Sequence, residues 1–92
     1  MAHTIQSKEK LMGRVKRIRG QVEALERALA VEKGCADLLH QIAAIRGAMN
    51  GLMNEVLEGH VREHVASADI TDPAEREQGA QELIDVLRAY LK

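Results

Sequence analysis

The sequence predicts an all-α fold, and three observations carry that prediction. Aromatic residues are nearly absent, with Tyr90 alone and no Phe or Trp. Ala, Leu, Glu and Arg dominate, as in helical bundles. Apolar residues recur at steps of three and four, and only two short breaks, near residues 31–34 and 66–72, interrupt that rhythm. The 92 residues therefore read as one domain, 1–92, of three helices. So short a chain buries a thin core on its own, which makes oligomerisation an expected route to stability.

Residues 1–6 form an arm without periodicity. Helix 1 is expected over about 7–30, with Ser7 as N-cap and Glu9 in the first turn, or with an earlier start at Thr4. Leu11, Val15, Ile18, Val22, Leu25 and Leu29 form an a/d heptad seam that wants a partner helix. Gly20 sits inside this helix at some cost in propensity. Gly34 suits the helix C-terminus or the turn that follows.

Helix 2 is expected over about 35–65. Its apolar residues, among them Leu38, Leu39, Ile42, Ile45, Met49, Leu52, Met53, Val56 and Leu57, cover more than one face. Such a helix belongs at the centre of a bundle, buried on several sides. Gly47 and Gly51 stand in small-xxx-small spacing, a weak sign of close helix approach in water. Helix 3 is expected over about 73–91. Thr71 or Asp72 caps it, Pro73 fits its first turn, and Glu75 and Glu77 complement its dipole. Ala80, Ile84, Leu87 and Leu91 repeat the seam, widened by Leu83 and Tyr90.

The net charge of −1 conceals an asymmetry. Residues 1–20 carry Lys8, Lys10, Arg14, Lys16, Arg17 and Arg19 against Glu9 alone, a net +5, and the remainder carries −6. On a helical wheel Lys10, Arg14, Arg17 and Gln21 share one flank of the seam, with Lys8, Lys16 and Arg19 on the other side. A basic helix is often only a solvated face. Here its acidic partners come late, at Glu23 and Glu26, which leaves the cluster poorly neutralised and points to nucleic acid.

Cys35 is the only cysteine, so no intrachain disulfide can form, and a reducing cytoplasm is the simplest setting. No apolar run is long enough for a membrane span, and the first residues do not read as a signal peptide. No nucleophile–base–orienter set is readable, so an enzyme is not expected. A metal-handling bundle without DNA binding is the remaining alternative class.

His60 and His64 are spaced i, i+4 and share a helix face, which suits joint ligation of one ion; Glu63 lies alongside and could ligate or orient. Taken singly, Cys35 reads as a small buried hydrophobe and the histidines as solvated, and His40 remains a surface residue. The geometry of helix 2 links them. Cys35 and His60 are 25 residues apart, about 37 Å along a continuous helix, too far to share a metal within one chain. An antiparallel second copy of helix 2 brings Cys35 of one chain beside His60 and His64 of the other. The pairing midpoints, 47.5 and 49.5, fall among Gly47, Met49 and Gly51, so two features agree on a twofold dimer with two equivalent sites.

The stretch LHQIAAIRGAMNGLMNEVLEGHVREHV closely resembles the second-helix core of the CsoR/RcnR family of bacterial metal- and formaldehyde-responsive repressors. GRVKRIRGQVEALERAL resembles the family's first helix and LIDVLRAYLK its last, so the likeness covers nearly the whole chain. It implies a three-helix protomer, an antiparallel dimeric four-helix bundle, and a homotetramer made as a dimer of dimers. It also implies binding of double-stranded operator DNA through basic helix surfaces, with release when the effector binds and derepression of an efflux gene. Arg14 and Arg17 are the first DNA-binding candidates on this likeness, with Lys10, Lys16, Arg19 and Gln21 in support and Arg46 secondary.

The family's four sensor positions are here His3, Cys35, His60 and His64, a set that matches the nickel/cobalt, RcnR-like branch. A copper sensor of this family has a second cysteine where this chain has His64. One thiolate with several nitrogens suits Ni(II) or Co(II) better than Cu(I), and on this resemblance Zn(II) is a less expected effector than Ni(II) or Co(II). A formaldehyde sensor, FrmR-like, pairs the cysteine with an N-terminal proline, whereas this chain has Ala2 and adds His64. RVKRIRGQVEALERAL and LRAYLK are nonetheless similar to that branch, which makes formaldehyde the alternative effector, acting through Cys35 and the N-terminus.

Overall fold

The computed structural model describes residues 5–92, with side chains from Ser7 onward. The chain is all-α: α1 spans Ile5–Ala30, α2 Cys35–His64 and α3 Pro73–Tyr90. Its described residues divide into two compact units, 5–54 and 55–92, and α2 contributes residues to both. No helix among the described residues is long and apolar enough to cross a membrane.

The first unit is a helix hairpin. α1 is already helical at Ile5, so Ser7 lies inside it and is not its N-cap; the alternative start at Thr4 falls outside the described residues. The turn after α1 is a Schellman motif. Glu32 N–H donates to Leu29 O at 3.1 Å and Lys33 N–H to Ala28 O at 3.0 Å. Its left-handed residue is Glu32, at φ 55°, and not Gly34. Gly34 instead opens α2, its carbonyl accepting from Leu38 N–H at 3.2 Å.

Packing splits the expected seam of α1. Leu11, Arg14, Ile18, Gln21, Leu25 and Ala28 are the covered row, while Val15 (45% exposed), Val22 (47%) and Leu29 (57%) stay open. Steps of three and four fit both rows, because the a positions (Val15, Val22, Leu29) and the g positions (Arg14, Gln21, Ala28) lie on either side of the same d positions. On α2, Leu38, Gln41, Ile45 and Ala48 are half-covered, whereas Leu39, Ile42 and Met49 are exposed. No residue of α2 is fully buried in the single chain, against the expectation of a helix covered on several sides. Burial of that kind needs atoms that one chain of this length does not supply.

The second unit is built differently. Asp72 caps α3, its Oδ1 accepting from Ala74 N–H at 3.0 Å, and Pro73 takes the first helical position. Ile70 is the buried hydrophobic residue of the loop before α3. Arg76 reaches back from α3: Nη2 donates to Ile70 O at 2.8 Å and to Ser67 O at 3.4 Å, and Nη1 donates to Val65 O. One guanidinium thereby satisfies carbonyls that the end of α2 and the loop leave open. Leu91 closes α3, its N–H donating to Leu87 O at 2.9 Å.

Candidate functional site

The histidine pair is held where α2 ends against α3. His60 and His64 lie on one face of α2 with ring centroids 4.9 Å apart and planes tilted by 43°. His60 is half-buried, and its Nε2 lies 2.8 Å from Gly79 O. A carbonyl oxygen can only accept, so the proton is assigned to Nε2. In the neutral ring this leaves the Nδ1 lone pair for a ligand, the arrangement in which a backbone acceptor orients a metal-binding imidazole. Glu82 Oε1 stands 3.8 Å from the same Nε2. His64 is exposed, and Glu63 is half-buried with its Oε2 covered.

Gly79 makes this contact possible. A Cβ there would collide with the His64 carbonyl oxygen and come within 2.7 Å of the carbonyl carbon. Only a residue without a side chain lets α3 pass this close to the end of α2.

Cys35 is the first residue of α2, exposed and with a free thiol. It belongs to the first unit and the histidine pair to the second. Among the described residues no three His, Cys, Asp or Glu side chains gather into a group able to hold a metal ion. His3 lies outside the described residues. His40 is exposed.

The basic residues of α1 divide in two. Lys10, Lys16, Arg17 and Arg19 are exposed on α1, as is Arg46 on α2. Arg14 and Gln21, expected on the same flank as Lys10 and Arg17, are half-buried in the row that faces α2. The Gln21 Oε1 is covered and has no hydrogen-bond partner within the described residues, so that oxygen is not presented to a ligand at the surface. The flank shared by Lys10, Arg14, Arg17 and Gln21 is thus split between exposed and half-buried positions.

A family model described as metal-sensitive transcriptional repressor matches residues 7–89. The chain belongs to that family, the CsoR/RcnR repressors. An uncharacterized protein from the bioA 5′ region of Serratia marcescens is 59% identical over 92 residues, the whole of both chains. The transcriptional repressor RcnR of Salmonella typhimurium is 48% identical over the same full length. Two solved structures share the fold. One is a glutamate-to-histidine variant of the formaldehyde-responsive regulator FrmR from Salmonella enterica serovar Typhimurium, 49% identical, covering 96% of this chain and 98% of that one at TM-score 0.88. The other is the copper-sensing repressor CsoR with Cu(I) from Geobacillus thermodenitrificans, 34% identical, covering 100% and 94% at TM-score 0.89. Membership makes the chain a metal-sensitive, DNA-binding transcriptional repressor and not an enzyme.

For a CsoR/RcnR repressor the sequence reading passed over Gly79 and Arg76, which hold the histidine end of α2 in place. Arg76 had a weak signal, being a basic residue soon after a helix start where acidic ones are favoured. Gly79 had a similar one, as a glycine inside a helix pays in propensity and so suggests a packing reason.

Proposed function

We propose that this repressor binds operator DNA when metal-free and is released by Ni(II) or Co(II), which derepresses a metal-efflux gene. The observation that carries the reading is the open apolar surface of the single chain. Val15, Val22 and Leu29 on α1, and Leu39, Ile42 and Met49 on α2, are large apolar residues left at the surface of a helix hairpin. Large apolar residues exposed in rows on both helices are what an interaction surface supplies. An antiparallel second copy would cover it and bring Cys35 of one protomer to His60 and His64 of its partner. A dimer of such dimers would give the homotetramer, working in the cytoplasm.

The donor set fits a borderline metal: one thiolate from Cys35, imidazole nitrogens from His60 and His64, and His3 from the N-terminal arm. The tautomer assigned to His60 presents Nδ1, and Glu63 stands beside the pair as a further ligand or orienting group. Cu(I) matches these donors less well. A bound ion ties Cys35 to the histidine pair and draws in the arm that precedes α1, and release follows if the ion prefers the DNA-free arrangement. DNA contact falls to Arg14 and Arg17, with Lys10, Lys16, Arg19, Gln21 and Arg46 in support. Binding to phosphates through these groups weakens steeply with salt, as counterions are released.

A second reading has a specific observation behind it. The identity to the formaldehyde-responsive FrmR variant, 49%, is level with that to RcnR, 48%, and Cys35 is an exposed thiol. On this reading Cys35 and the N-terminus respond to formaldehyde, and the regulated genes detoxify it. Operator affinity measured with Ni(II), Co(II), Zn(II), Cu(I) and formaldehyde separates the two. Ni(II) and Co(II) are expected to release the DNA, and Cys35→Ala to abolish the response while repression persists. Release by formaldehyde alone would overturn the nickel/cobalt reading.

A further inference from the structure

The Arg14 side chain lies over Gly51. A Cβ on residue 51 would stand 2.9 Å from Arg14 Nη1 and 3.9 Å from Cζ. Both residues belong to the first unit and both are half-buried. Gly13, Gly20, Gly34 and Gly47 of the same unit would meet nothing within 4 Å, so the close approach is particular to residue 51. Gly47 and Gly51 therefore differ in kind. Gly47 faces open space, and Gly51 is the floor beneath a guanidinium.

Arg14 falls within the covered row of α1, between Leu11 and Ile18. A charged group in such a row must carry its head to the edge of the helix pair, with its stem along the apolar surface. The path to that edge crosses α2 at residue 51, where a missing side chain leaves room for the planar head. A guanidinium laid in that gap has fewer rotamers open to it than one on a free surface. A phosphate contact made by a fixed guanidinium loses less freedom on binding.

We propose that Gly51 is a positioning residue for operator recognition: by lacking a side chain it seats the Arg14 guanidinium against α2 and fixes its approach to DNA phosphate. The proposal rests on the reading of Arg14 as a DNA contact. Glycine at 51 then has a role beyond helix crossing, and its substitution acts through Arg14.

The test is a double-mutant cycle on operator affinity in the metal-free full-length protein, at one fixed salt concentration, with Gly51→Ala, Arg14→Ala and the pair together. Alanine is the better helix former, so Gly51→Ala should keep helicity, melting temperature and sedimentation at or above those of the parent. It is expected to weaken operator binding by about tenfold, since every copy in a symmetric oligomer loses the same fixed contact. In the Arg14→Ala background it should have no further effect. If Arg14→Ala weakens binding and Gly51→Ala does not, the proposal falls while Arg14 remains a DNA contact. If neither changes binding, the reading of Arg14 fails and takes the proposal with it. An equal loss from Gly51→Ala with and without Arg14 also overturns it, because residue 51 then acts by another route. Should Gly51→Ala alter sedimentation, Arg14→Lys decides: its slim head clears a Cβ, so Arg14→Lys should bind equally with glycine or alanine at 51, and a difference sinks the idea.

Discussion

The two units of the chain solve the same problem, packing helices with few atoms, in opposite ways. The hairpin of residues 5–54 leans on apolar rows and covers little: Ala28 is its one buried hydrophobic residue among those described, at 3% exposure. Residues 55–92 are pinned by directed polar contacts, namely the Asp72 cap, Arg76 on three carbonyls, and His60 on Gly79 O. Apolar contact is non-directional, so the first unit can leave a face open for other molecules. Hydrogen bonds demand geometry, so the second unit can hold the His60 imidazole in a set orientation against α3.

The contrast breaks first at Gly79. Gly79→Ala forces the turn of α3 away from the His64 carbonyl, and backbone cannot yield as a side-chain tip can. We expect a loss of about 3 kcal/mol, at the upper end of overpacking costs, in urea denaturation. Metal response should be lost at temperatures where the chain remains folded. A variant as stable as the parent would show that the close approach is not needed.

Val22→Asp probes the other unit. Val22 is 47% exposed in the single chain, so the substitution should hardly alter the helix content of a dissociated protomer. Buried against a second copy, the carboxylate is unpaired, and association should weaken by about 2 kcal/mol or more, read by sedimentation equilibrium. Unchanged assembly would place the interface elsewhere.

The smallest effect is expected at Glu32. A left-handed conformation costs a residue with a side chain about 1–2 kcal/mol, part of which glycine returns through its freer unfolded chain. Glu32→Gly should therefore stabilise the hairpin by about 0.5–1 kcal/mol, measured as a rise in melting temperature, with operator affinity unchanged. No stabilisation would mean that Glu32 makes contacts worth as much as its strain.

These contrasts also mark how far residues alone could be read. Asp72 and Pro73 announced the start of α3 because capping is local chemistry, set by a side chain and the two or three residues beside it. Gly34 announced a turn but not which residue would take the left-handed conformation. The Schellman bonds fix that position by counting back to Ala28 and Leu29, and it fell on Glu32. The His60/His64 face was legible from i, i+4 spacing, while the Gly79 carbonyl that orients His60 was not, being 19 residues away in the chain.

What the sequence by itself determined is whatever depends on period and neighbours: three helices with their breaks, the basic bias of the first 20 residues, and the family. What only the tertiary structure decided is which of two equally periodic rows on α1 turns inward. Val15, Val22 and Leu29 fit the heptad as well as Leu11, Ile18 and Leu25 do, and period alone cannot rank them. The choice is made where α2 lies, since a row is covered only by atoms that reach it. That choice drew Arg14 inward onto Gly51 and left the valines open.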